Sequence, residues 1–452
     1  MVKCYYKLVF RLVSPLALSS GMGKKTDADV LLNSFGRPFI PASAIAGALS
    51  ENLSENLKKK LFGFVEGENL QASYIVTYDG NTQDDFHLSI RDGVALNEQK
   101  VAVKGAKYDF EIVEPGIKFV TYFEISDINN EVNEDAMQLI ENIHSLKMGA
   151  KTTRGYGNLQ LKEIYKKTFV FSTKCSAQEL DEQCKAQKSS EQCKADEFTN
   201  LKNWLDFDLF ASNAFHTADQ LANPKEITGR DRNKLELKLK IIGSPVIRRY
   251  TANVSEDENY PEPDYESLTV IEGKDKKIPV IPGTSWAGAF RSHIEKMAKE
   301  MGIFPPNTAE KNRLGLAFGY VDKKTACAVK SKIIFSESKI KDSEAKLMTR
   351  TAIDRFSGGT VEGSLYTERI WYGGTTDLCI EFDGGIDEYV KQLLACAVLD
   401  LDAGILSVGG ETSVGHGIFK IDKFVLNGQV ITQFNPQSLT KNNDVGGGIS
   451  EQ

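Results

Sequence analysis

The sequence has little of what enzymes of small-molecule metabolism use at their active sites. Its 452 residues include only five histidines, and none of them forms an HxxxH pair or a cluster with cysteine. It contains no Walker phosphate loop, no Ser-His-Asp spacing and no dinucleotide fingerprint in a strand–turn–helix context. Small-molecule metabolism is therefore poorly supported.

Long apolar segments and paired cysteines are also lacking. No run of 18 or more apolar residues occurs, so no membrane span is expected. The seven cysteines are scattered without a CxxC pair, which favours reduced thiols and a cytoplasmic location. The first ten residues alternate like a strand and lack the apolar segment of a signal peptide.

The composition is that of an ordinary soluble globular protein. Hydrophobic residues make up 41% and charged residues 26% of the chain. The net charge of −7 does not point to nucleic acid. It does not exclude nucleic acid either, because phosphates are contacted by a local basic groove.

The sequence does contain a repeat. The glycine-rich segment Gly149–Gly157, GAKTTRGYG, recurs as Gly409–Gly417, GGETSVGHG, at an offset of 260 residues. Ile40–Leu49, IPASAIAGAL, recurs as Ile281–Phe290, IPGTSWAGAF, at an offset of 241. The offsets differ, which indicates that surface loops changed length while the framework stayed the same.

Two further matches keep the same order along the chain. Arg91–Leu96, RDGVAL, resembles Arg350–Arg355, RTAIDR, and Ser14-Pro matches Ser244-Pro. Four matches in one order predict two copies of one module, fused head to tail.

The repeat sets the predicted domain boundaries. We expect a first domain over residues 1–170 and a second over residues 231–430, joined by a charged linker or insertion at 171–230. Residues 431–452 are polar and glycine-rich, which predicts a disordered tail.

Hydrophobic periodicity predicts an α+β fold for each copy. In the first copy we expect the elements in the order strand, helix, strands, helix, strand. The predicted elements are strands 3–13, 75–78, 87–90, 108–113, 118–125 and 158–164, and helices 43–61 and 133–148. This order is typical of the split βαβ, ferredoxin-like (RRM-like) arrangement with an inserted hairpin.

The loop after the first strand is the first candidate for chemistry. Residues 19–29 combine two lysines, Lys24 and Lys25, with two carboxylates, Asp27 and Asp29. A carboxylate beside a phosphodiester can hold a divalent ion, and lysines can hold the phosphates. The alternative is an exposed polar loop.

The glycine-rich segments have two interpretations. Consecutive amides in a glycine turn can form an anion nest, and Lys151 and Arg154 lie inside the first segment. The alternative is a hairpin turn that simply requires positive φ. Ser43 and Ser285, where the two Ile-Pro motifs enter helices, are either N-caps or mark helix N-termini facing a phosphate.

Arginines accompany the third repeated motif. Arg91 and Arg350 each stand at the base of a predicted hairpin, where an arginine can hold a backbone phosphate. The alternative is a surface salt bridge.

Together these motifs resemble the RAMP superfamily, specifically the backbone subunit of type III CRISPR effector complexes. The resemblance covers both copies: IPAS…AGAL, RDGV…GAKYDFEIV and GxxTxxGYG in the first, and IPGTS…AGAF, AIDRFSGG and GETSVGHG in the second. Two fused copies resemble the type III-D branch.

The resemblance implies two tandem ferredoxin-like RAMP domains with protruding thumb hairpins. It implies partners as well: a CRISPR guide RNA, a target RNA and other type III effector subunits. It further implies target cleavage by an aspartate with Mg²⁺ or Mn²⁺. By position the metal-binding, catalytic aspartate is Asp27, with Asp29 as the near alternative. The offset of 241 places Leu268 there in the second copy, so that copy either does not cut or uses Asp264 in a shifted register.

The resemblance also implies a set of RNA-binding residues. Three further positions complete the match to the family's motifs: Lys24 and Lys25 in the loop, and Arg355 in the AIDRF motif. The predicted set is Lys24, Lys25, Ser43, Arg91, Lys151, Arg154, Ser285, Arg291, Arg350 and Arg355.

Two other functions stay open at the level of sequence. The chain could be a scaffold that binds guide RNA and does not cut. It could also be a related enzyme that processes the guide precursor, but such enzymes commonly use histidine as a general acid–base, and no histidine lies in an early, suitably placed loop.

Overall fold

The fold is described from a computed structural model of the chain. The chain divides into two compact units: the first comprises Met1–Ile90, Phe110–Ala150 and Gly157–Ile227, and the second comprises Arg91–Asp109, Lys151–Tyr156 and Thr228–Gln452. The structure describes residues 2–19, 21, 23–51, 53–97, 102–127, 135, 139–140, 143–171, 199–216, 218–221, 232–250, 263–272, 276–302, 309–322 and 327–440.

Strands outnumber helices in the first half of the chain. The elements up to residue 221 are β1 (Val2–Leu12), β2 (Phe39–Ile40), α1 (Ala42–Ser50), α2 (Glu55–Phe62), β3 (Phe64–Glu66), β4 (Asn69–Gln71), β5 (Ile75–Thr77), β6 (Gly80–Asn81), β7 (Leu88–Leu96), β8 (Ala102–Val113), β9 (Lys118–Asp127), β10 (Ser145–Lys147), β11 (Asn158–Val170) and β12 (Asp219–Gln220).

The longest helices among the described residues lie in the second half of the chain. Its elements are β13 (Arg232–Ile241), β14 (Arg248–Tyr250), β15 (Tyr265–Ser267), β16 (Thr269–Glu272), β17 (Lys276–Ile281), α3 (Gly283–Glu300), α4 (Ala309–Phe318), β18 (Tyr320–Asp322), β19 (Cys327–Val329), β20 (Ile333–Phe335), β21 (Ser338–Lys341), β22 (Glu344–Arg350), β23 (Tyr366–Tyr372), β24 (Thr375–Asp383), α5 (Glu388–Ala403), β25 (Phe419–Leu426) and β26 (Gln429–Ile431).

The first unit is organised around β1, whose side chains alternate between the two faces of its sheet. Tyr6, Leu8 and Phe10 are at most 1% exposed and belong to the hydrophobic core, as a period of two predicts. β1 pairs antiparallel with both β11 and β9, and β9 pairs antiparallel with β5. The strand order is therefore β11-β1-β9-β5.

The second unit repeats this strand order. β13 pairs antiparallel with β24 and β25, and β24 pairs antiparallel with β20, which gives β25-β13-β24-β20. In both units a register shift interrupts the pairing of the first strand with the last. It lies between Val9 and Phe10 in β1 and between Lys238 and Leu239 in β13. The predicted repeat therefore extends to the position of a β-bulge.

The first predicted helix, residues 43–61, is wrong in its extent. The chain forms two helices, α1 and α2, because Ser54 interrupts the run and accepts a hydrogen bond from the Leu57 amide at 3.3 Å as the N-cap of α2. The N-cap of α1 is Pro41, so Ser43 lies inside the helix and is not its cap. Ser285 likewise lies inside α3, whose N-cap is Pro282.

The second predicted helix, residues 133–148, is only partly described. Positions 135, 139 and 140 are helical. Residues 145–147 form β10 instead, paired antiparallel with β11. Most of the remaining predicted helix lies outside the described residues.

The segment predicted as a charged linker supplies part of the first unit's packing. Residues 199–221 pack against the face of the sheet that points away from the main core. Trp204 Nε1 donates a hydrogen bond to Tyr5 Oη at 2.8 Å, and the rings of Phe215 and Tyr122 stack at 6.0 Å. These aromatic side chains form a second, smaller hydrophobic cluster. The Cys-containing part of the predicted linker lies outside the described residues.

The start of the predicted disordered tail is also ordered. Phe434 stacks on Phe424 with ring centroids 4.8 Å apart, and Leu439 is 4% exposed. Residues 441–452 lie outside the described residues. Within the described part of the chain, no helix is both long and apolar enough to cross a membrane.

Gly283, at the start of α3, has no room for a side chain. A Cβ built there would lie 2.2 Å from the carbonyl oxygens of both Arg154 and Phe335, all within the second unit. Both neighbours are backbone atoms, so they cannot move aside as a flexible side chain would. Gly288, one turn later in the same helix, has no atom of the described structure within 4 Å of a built Cβ.

We expect opposite effects from alanine at these two glycines. Gly283→Ala should lower the free energy of unfolding by about 2 kcal/mol, because an overpacked site forces backbone shifts. Gly288→Ala should raise it by about 0.5–1 kcal/mol, because alanine favours the helix. Urea unfolding of both variants tests this, and equal effects would contradict the proposed close contact at Gly283.

Candidate functional site

Both glycine-rich segments adopt the same conformation. Each begins with a non-glycine residue in the left-handed region, Lys151 at φ 59° and Glu411 at φ 56°. A short 3-10 turn follows, and each turn ends at a left-handed glycine, Gly155 at φ 83° and Gly415 at φ 91°. The sequence repeat is therefore a repeat of backbone geometry.

Close backbone contacts explain the flanking glycines. A Cβ on Gly157 would lie 1.7 Å from the Met148 carbonyl oxygen, and one on Gly417 would lie 2.1 Å from the Val408 carbonyl oxygen. The alternative interpretation of the motif, a turn that requires glycine, is thus sufficient to account for it.

The amides of the turn are used inside the protein. Arg154 N and Tyr156 N both donate to the Lys151 carbonyl, at 2.8 and 3.4 Å, and Gly157 N donates to Pro15 at 2.7 Å. An anion nest needs amides that point to an outside ligand. The hydrogen bonds of these three amides therefore favour a structural role for the turn.

The loop after β1 is held together by the Asp29 carboxylate. Oδ2 accepts hydrogen bonds from the amides of Lys24 at 2.6 Å and Lys25 at 3.1 Å. Oδ1 accepts from the amide and the hydroxyl of Thr26 at 2.9 and 2.8 Å. A Cβ on Gly23 would lie 1.7 Å from the Thr26 carbonyl oxygen, so this tight loop also depends on glycine.

Asp27 lies at the exposed tip of the same loop. Two residues that follow Asp27, Ala28 and Val30, are bonded to the base of the β7–β8 hairpin. The Glu111 amide donates to the Ala28 carbonyl at 2.9 Å, and the Glu111 side chain accepts from the Val30 amide at 3.0 Å. The backbone that follows Asp27 is therefore fixed beside the hairpin.

The two aspartates of the loop differ in what their carboxylates do. Hydrogen bonds from Lys24, Thr26 and Lys25 lower the pKa of Asp29 well below its usual range. Its charge is thus maintained and committed to the loop. Lys24 and Lys25 expose their side chains to solvent.

The helix starts offer less to a phosphate than predicted. The first amide of α1, Ala42 N, donates to Asp79 Oδ1 at 2.7 Å, so a carboxylate already occupies that position. Ser43 is exposed in the first turn of α1. Ser285 is partly buried, and its amide donates to the Pro282 carbonyl at 2.9 Å.

Arg91 is buried, contrary to the prediction of an exposed phosphate contact. It is 2% exposed, and its Nη2 lies 3.6 Å from Glu337 Oε2, whose side chain is 6% exposed. Both residues belong to the second unit. A guanidinium that is paired and excluded from water cannot be a surface contact for RNA in this conformation.

Arg154 and Arg291 meet at the end of α4. Arg154 Nη2 donates to the Phe318 carbonyl at 3.3 Å, and Arg291 Nη1 donates to the Gly319 carbonyl at 3.2 Å. Cations are favourable at a helix C-terminus. Burial, and then the charge of Arg291, lower the pKa of Arg154. Both predicted RNA contacts thus donate to backbone carbonyls within the second unit.

Lys151 contacts the hairpin of the first copy. Its Nζ lies 4.4 Å from the centroid of the Tyr108 ring and is also hydrogen-bonded to the tyrosine hydroxyl. This cation–π contact fixes the left-handed residue of the turn against β8. Lys151 remains partly exposed.

Arg350 lies in a cluster of charges at the base of the second hairpin. Its Nε is 3.1 Å from Glu368 Oε1 and its Nη1 is 2.8 Å from Glu411 Oε2. Glu411 also pairs with Arg248, and His416 Nε2 lies 3.4 Å from Arg350 Nη2. Two carboxylates thus pair with Arg350, the residue that was predicted to contact a phosphate.

Glu368 is the most deeply buried member of this cluster. It is 0% exposed, and burial, followed by the nearby Glu411 charge, raises its pKa. Arg350, followed by Arg248 and His416, opposes this rise and favours the charged carboxylate.

Arg355 and Phe356 are exposed on the loop between β22 and β23. Asp354 Oδ1 accepts hydrogen bonds from the amides of Phe356 at 3.0 Å and Ser357 at 2.7 Å. This turn holds the Phe356 side chain fully in solvent. Arg355 is the predicted arginine that the second copy presents most openly.

Asp264 does not reproduce Asp27. Its Oδ2 accepts a hydrogen bond from the Thr367 amide at 2.7 Å, and its own amide donates to the Thr367 carbonyl at 2.8 Å. Asp264 therefore ties the chain to β23. Residues 251–262, which hold the rest of that acidic insertion, lie outside the described residues.

The carboxylates that bind the arginines and the loop were not predicted from the sequence. Glu111, Glu337 and Glu368 have no sequence motif of their own. Glu411 did leave a signal, because it stands where Lys151 stands in the aligned turns. A reversal of charge at one repeat position indicates different neighbours in the two copies.

Groups of three or more metal-binding side chains do not occur among the described residues. A Mg²⁺ site in proteins often has only one or two carboxylates, with water and substrate phosphates as the other ligands. One exposed carboxylate, such as Asp27, fits a site of that kind.

Loop order should depend more on Asp29 than on Asp27. Asp29→Ala removes the acceptor of three amides, so amide hydrogen exchange in residues 24–26 should accelerate, whereas Asp27→Ala keeps all three acceptor contacts and should accelerate it less. The folded pKa of Asp29 is lowered, so its bonds persist above the ordinary aspartate pKa of about 3.9. They are lost only when the pH falls through the lower folded value. Unchanged exchange in Asp29→Ala would contradict this role.

Arg350 should contribute to stability. Arg350→Met leaves Glu368 buried without its partner and should lower the free energy of unfolding by about 3 kcal/mol. The control is Lys346→Met on the same strand, which removes an exposed ion pair with Glu344 and should change it by less than about 0.5 kcal/mol. Similar unfolding curves for the two variants would show that Arg350 has no such role.

Comparison with known proteins identifies the family. A sequence profile of the RAMP superfamily matches residues 9–160 and 227–420. No match was found among curated protein sequences. Similar chains occur in the apo-state cryo-EM structure of type III-B Cmr-beta (12% identity, TM-score 0.31, 35% of this chain and 96% of that chain) and in type III-B Cmr-beta bound to cognate target RNA (13%, 0.31, 36% and 60%).

The profile carries the assignment. Its two matched regions cover most of the chain and correspond to the two copies predicted from the repeated motifs. With two matches in one chain, the protein belongs to the RAMP superfamily.

Proposed function

We propose that this protein is a backbone subunit of a type III CRISPR ribonucleoprotein, which binds guide RNA and cleaves the paired target RNA through Asp27. Membership of the RAMP superfamily supports the general role. The observation that carries the catalytic part is the loop after β1, which exposes one carboxylate and uses the other to hold its shape.

The difference between Asp27 and Asp29 favours Asp27 as the catalytic residue. The Asp29 carboxylate accepts four hydrogen bonds from its own loop. A metal ion there would compete with those donors. Asp27 is exposed and lies next to Ala28, which is bonded to the hairpin base.

Mg²⁺ or Mn²⁺ is the cofactor that this arrangement suits. Such an ion, when bound, supplies an activated water and neutralises charge on the phosphate. Asp27 would hold it, and RNA phosphates would supply further oxygen ligands. Lys24 and Lys25 would hold the phosphates on either side.

The architecture supports the proposed binding mode. The strand order β11-β1-β9-β5, repeated in the second unit, supports a ferredoxin-like core for each copy. The β7–β8 and β22–β23 hairpins would be the thumbs. Arg355 would contact the RNA backbone, and the exposed Phe356 ring offers a stacking surface for a base.

The second copy fits a scaffold that does not cut. Its nearest loop carboxylate among the described residues, Asp264, is bound to the Thr367 amide. We propose that this copy binds guide RNA and positions the target, in a complex with other type III effector subunits in the cytoplasm. A chain in which both copies act as scaffold remains the alternative function.

Cleavage should depend on Asp27 in the assembled complex. Asp27→Asn should reduce target cleavage at the positions served by the first copy by about 100-fold or more, because metal catalysis contributes several kcal/mol. Guide and target binding should stay within about twofold, because the change is small and exposed. Cleavage in Mg²⁺ and filter binding of the same preparation measure the two effects.

The matched control is Asp264→Asn, which should leave the cleavage pattern unchanged. An Asp27→Asn complex that cuts every position at the wild-type rate would refute the assignment. Guide and target binding by a wild-type complex that never cleaves would establish the scaffold alternative.

A further inference from the structure

In the first copy, the glycine-rich turn packs closely against backbone atoms of residues 335–337. Within the second unit, a Cβ on Gly155 would lie 2.6 Å from the Glu337 amide and 2.9 Å from the Phe335 carbonyl. A Cβ on Gly283 would lie 2.2 Å from the Arg154 carbonyl oxygen. We call the receiving surface, formed by Gly283 and residues 335–337, the socket.

The turn of the second copy has the same shape but is open. Ser413, Val414 and Gly415 are exposed, and Val414 is 67% exposed. A Cβ on Gly415 would have no atom of the described residues within 4 Å, apart from its chain neighbours. The turn that packs against the socket in one copy is therefore exposed in the other.

The exposed tip of the second turn is uncharged. The one charged side chain at its start, Glu411, is paired with Arg248 and Arg350 and points into the hairpin cluster. Val414 stands at the position that Arg154 holds in the first copy. Such a tip suits a partner surface made of backbone and apolar groups.

The first copy's own helix start differs from the socket at two points. Ala42 stands where the socket has Gly283, and a side chain at Gly283 would collide with the carbonyl of a docked turn. The Ala42 amide is also occupied by Asp79. A second copy of this chain therefore offers no open socket, because its first helix start lacks the glycine and its own first turn already fills the socket at Gly283.

We infer that residues 411–415 are a docking site for a separate RAMP-type subunit whose first helix begins with Pro-Gly, as α3 does here. This inference rests on the proposed function, because it requires assembly into a multi-subunit complex. It goes further by naming the surface and the feature of the partner that receives it.

A photo-crosslinking amino acid at position 414 tests the inference in the purified ribonucleoprotein. The matched control is the same amino acid at Val430, which is 54% exposed in the same unit. Mass spectrometry should find the position-414 crosslink on another subunit, at the peptide that contains its Pro-Gly helix start. A crosslink confined to this chain, including residues 441–452, or placed elsewhere on the partner would overturn the proposal.

A second variant measures the contribution to binding. Val414→Glu should weaken association with the remaining subunits by about tenfold, since a charge would be buried at the contact, and Val430→Glu should not. Equal association of both variants with wild type would also overturn the docking site. If no complex with RNA assembles from wild-type protein, the proposed function itself fails, which separates the two conclusions.

Discussion

The fold of both copies depends on backbone segments that approach too closely for a Cβ. At Gly157 and Gly417 the carbonyl of a residue nine positions earlier occupies the place of a side chain. This contact starts the last strand beside the first strand, where the two pair along most of their length. The loop after β1 and the hairpin base then have fixed neighbours, so the position of Asp27 follows indirectly from a turn that has no chemistry of its own.

The repeat, the main strands and the family could be predicted from the sequence. They depend on local signals: alternation in β1 and β13, glycines at required φ values, and motifs kept in order. The break between α1 and α2 was harder to predict, because the serine cap at Ser54 competes with a continuous helical pattern. The α+β class of each copy followed from the same alternation, and the exact helix boundaries did not.

The roles of the arginines could not be predicted, because their partners are distant in sequence. Arg91 meets Glu337, and Arg350 meets Glu368 and Glu411. A basic residue beside a motif is equally compatible with a phosphate and with a carboxylate contributed by another element. By contrast, the different roles of Asp27 and Asp29 depend on local contacts. The Asp29 carboxylate accepts hydrogen bonds from residues at most five positions away in sequence.

The segment 199–221 has a consequence for how such a fused chain can evolve. A duplication leaves a joining segment that either copy can discard, and recombination can then exchange whole modules at the junction. Here the joining segment has become part of the first module, with Trp204 bonded to Tyr5 in its opening strand. The first module thus extends beyond residue 221, and an exchange at residue 170 would separate a domain from part of its own interior.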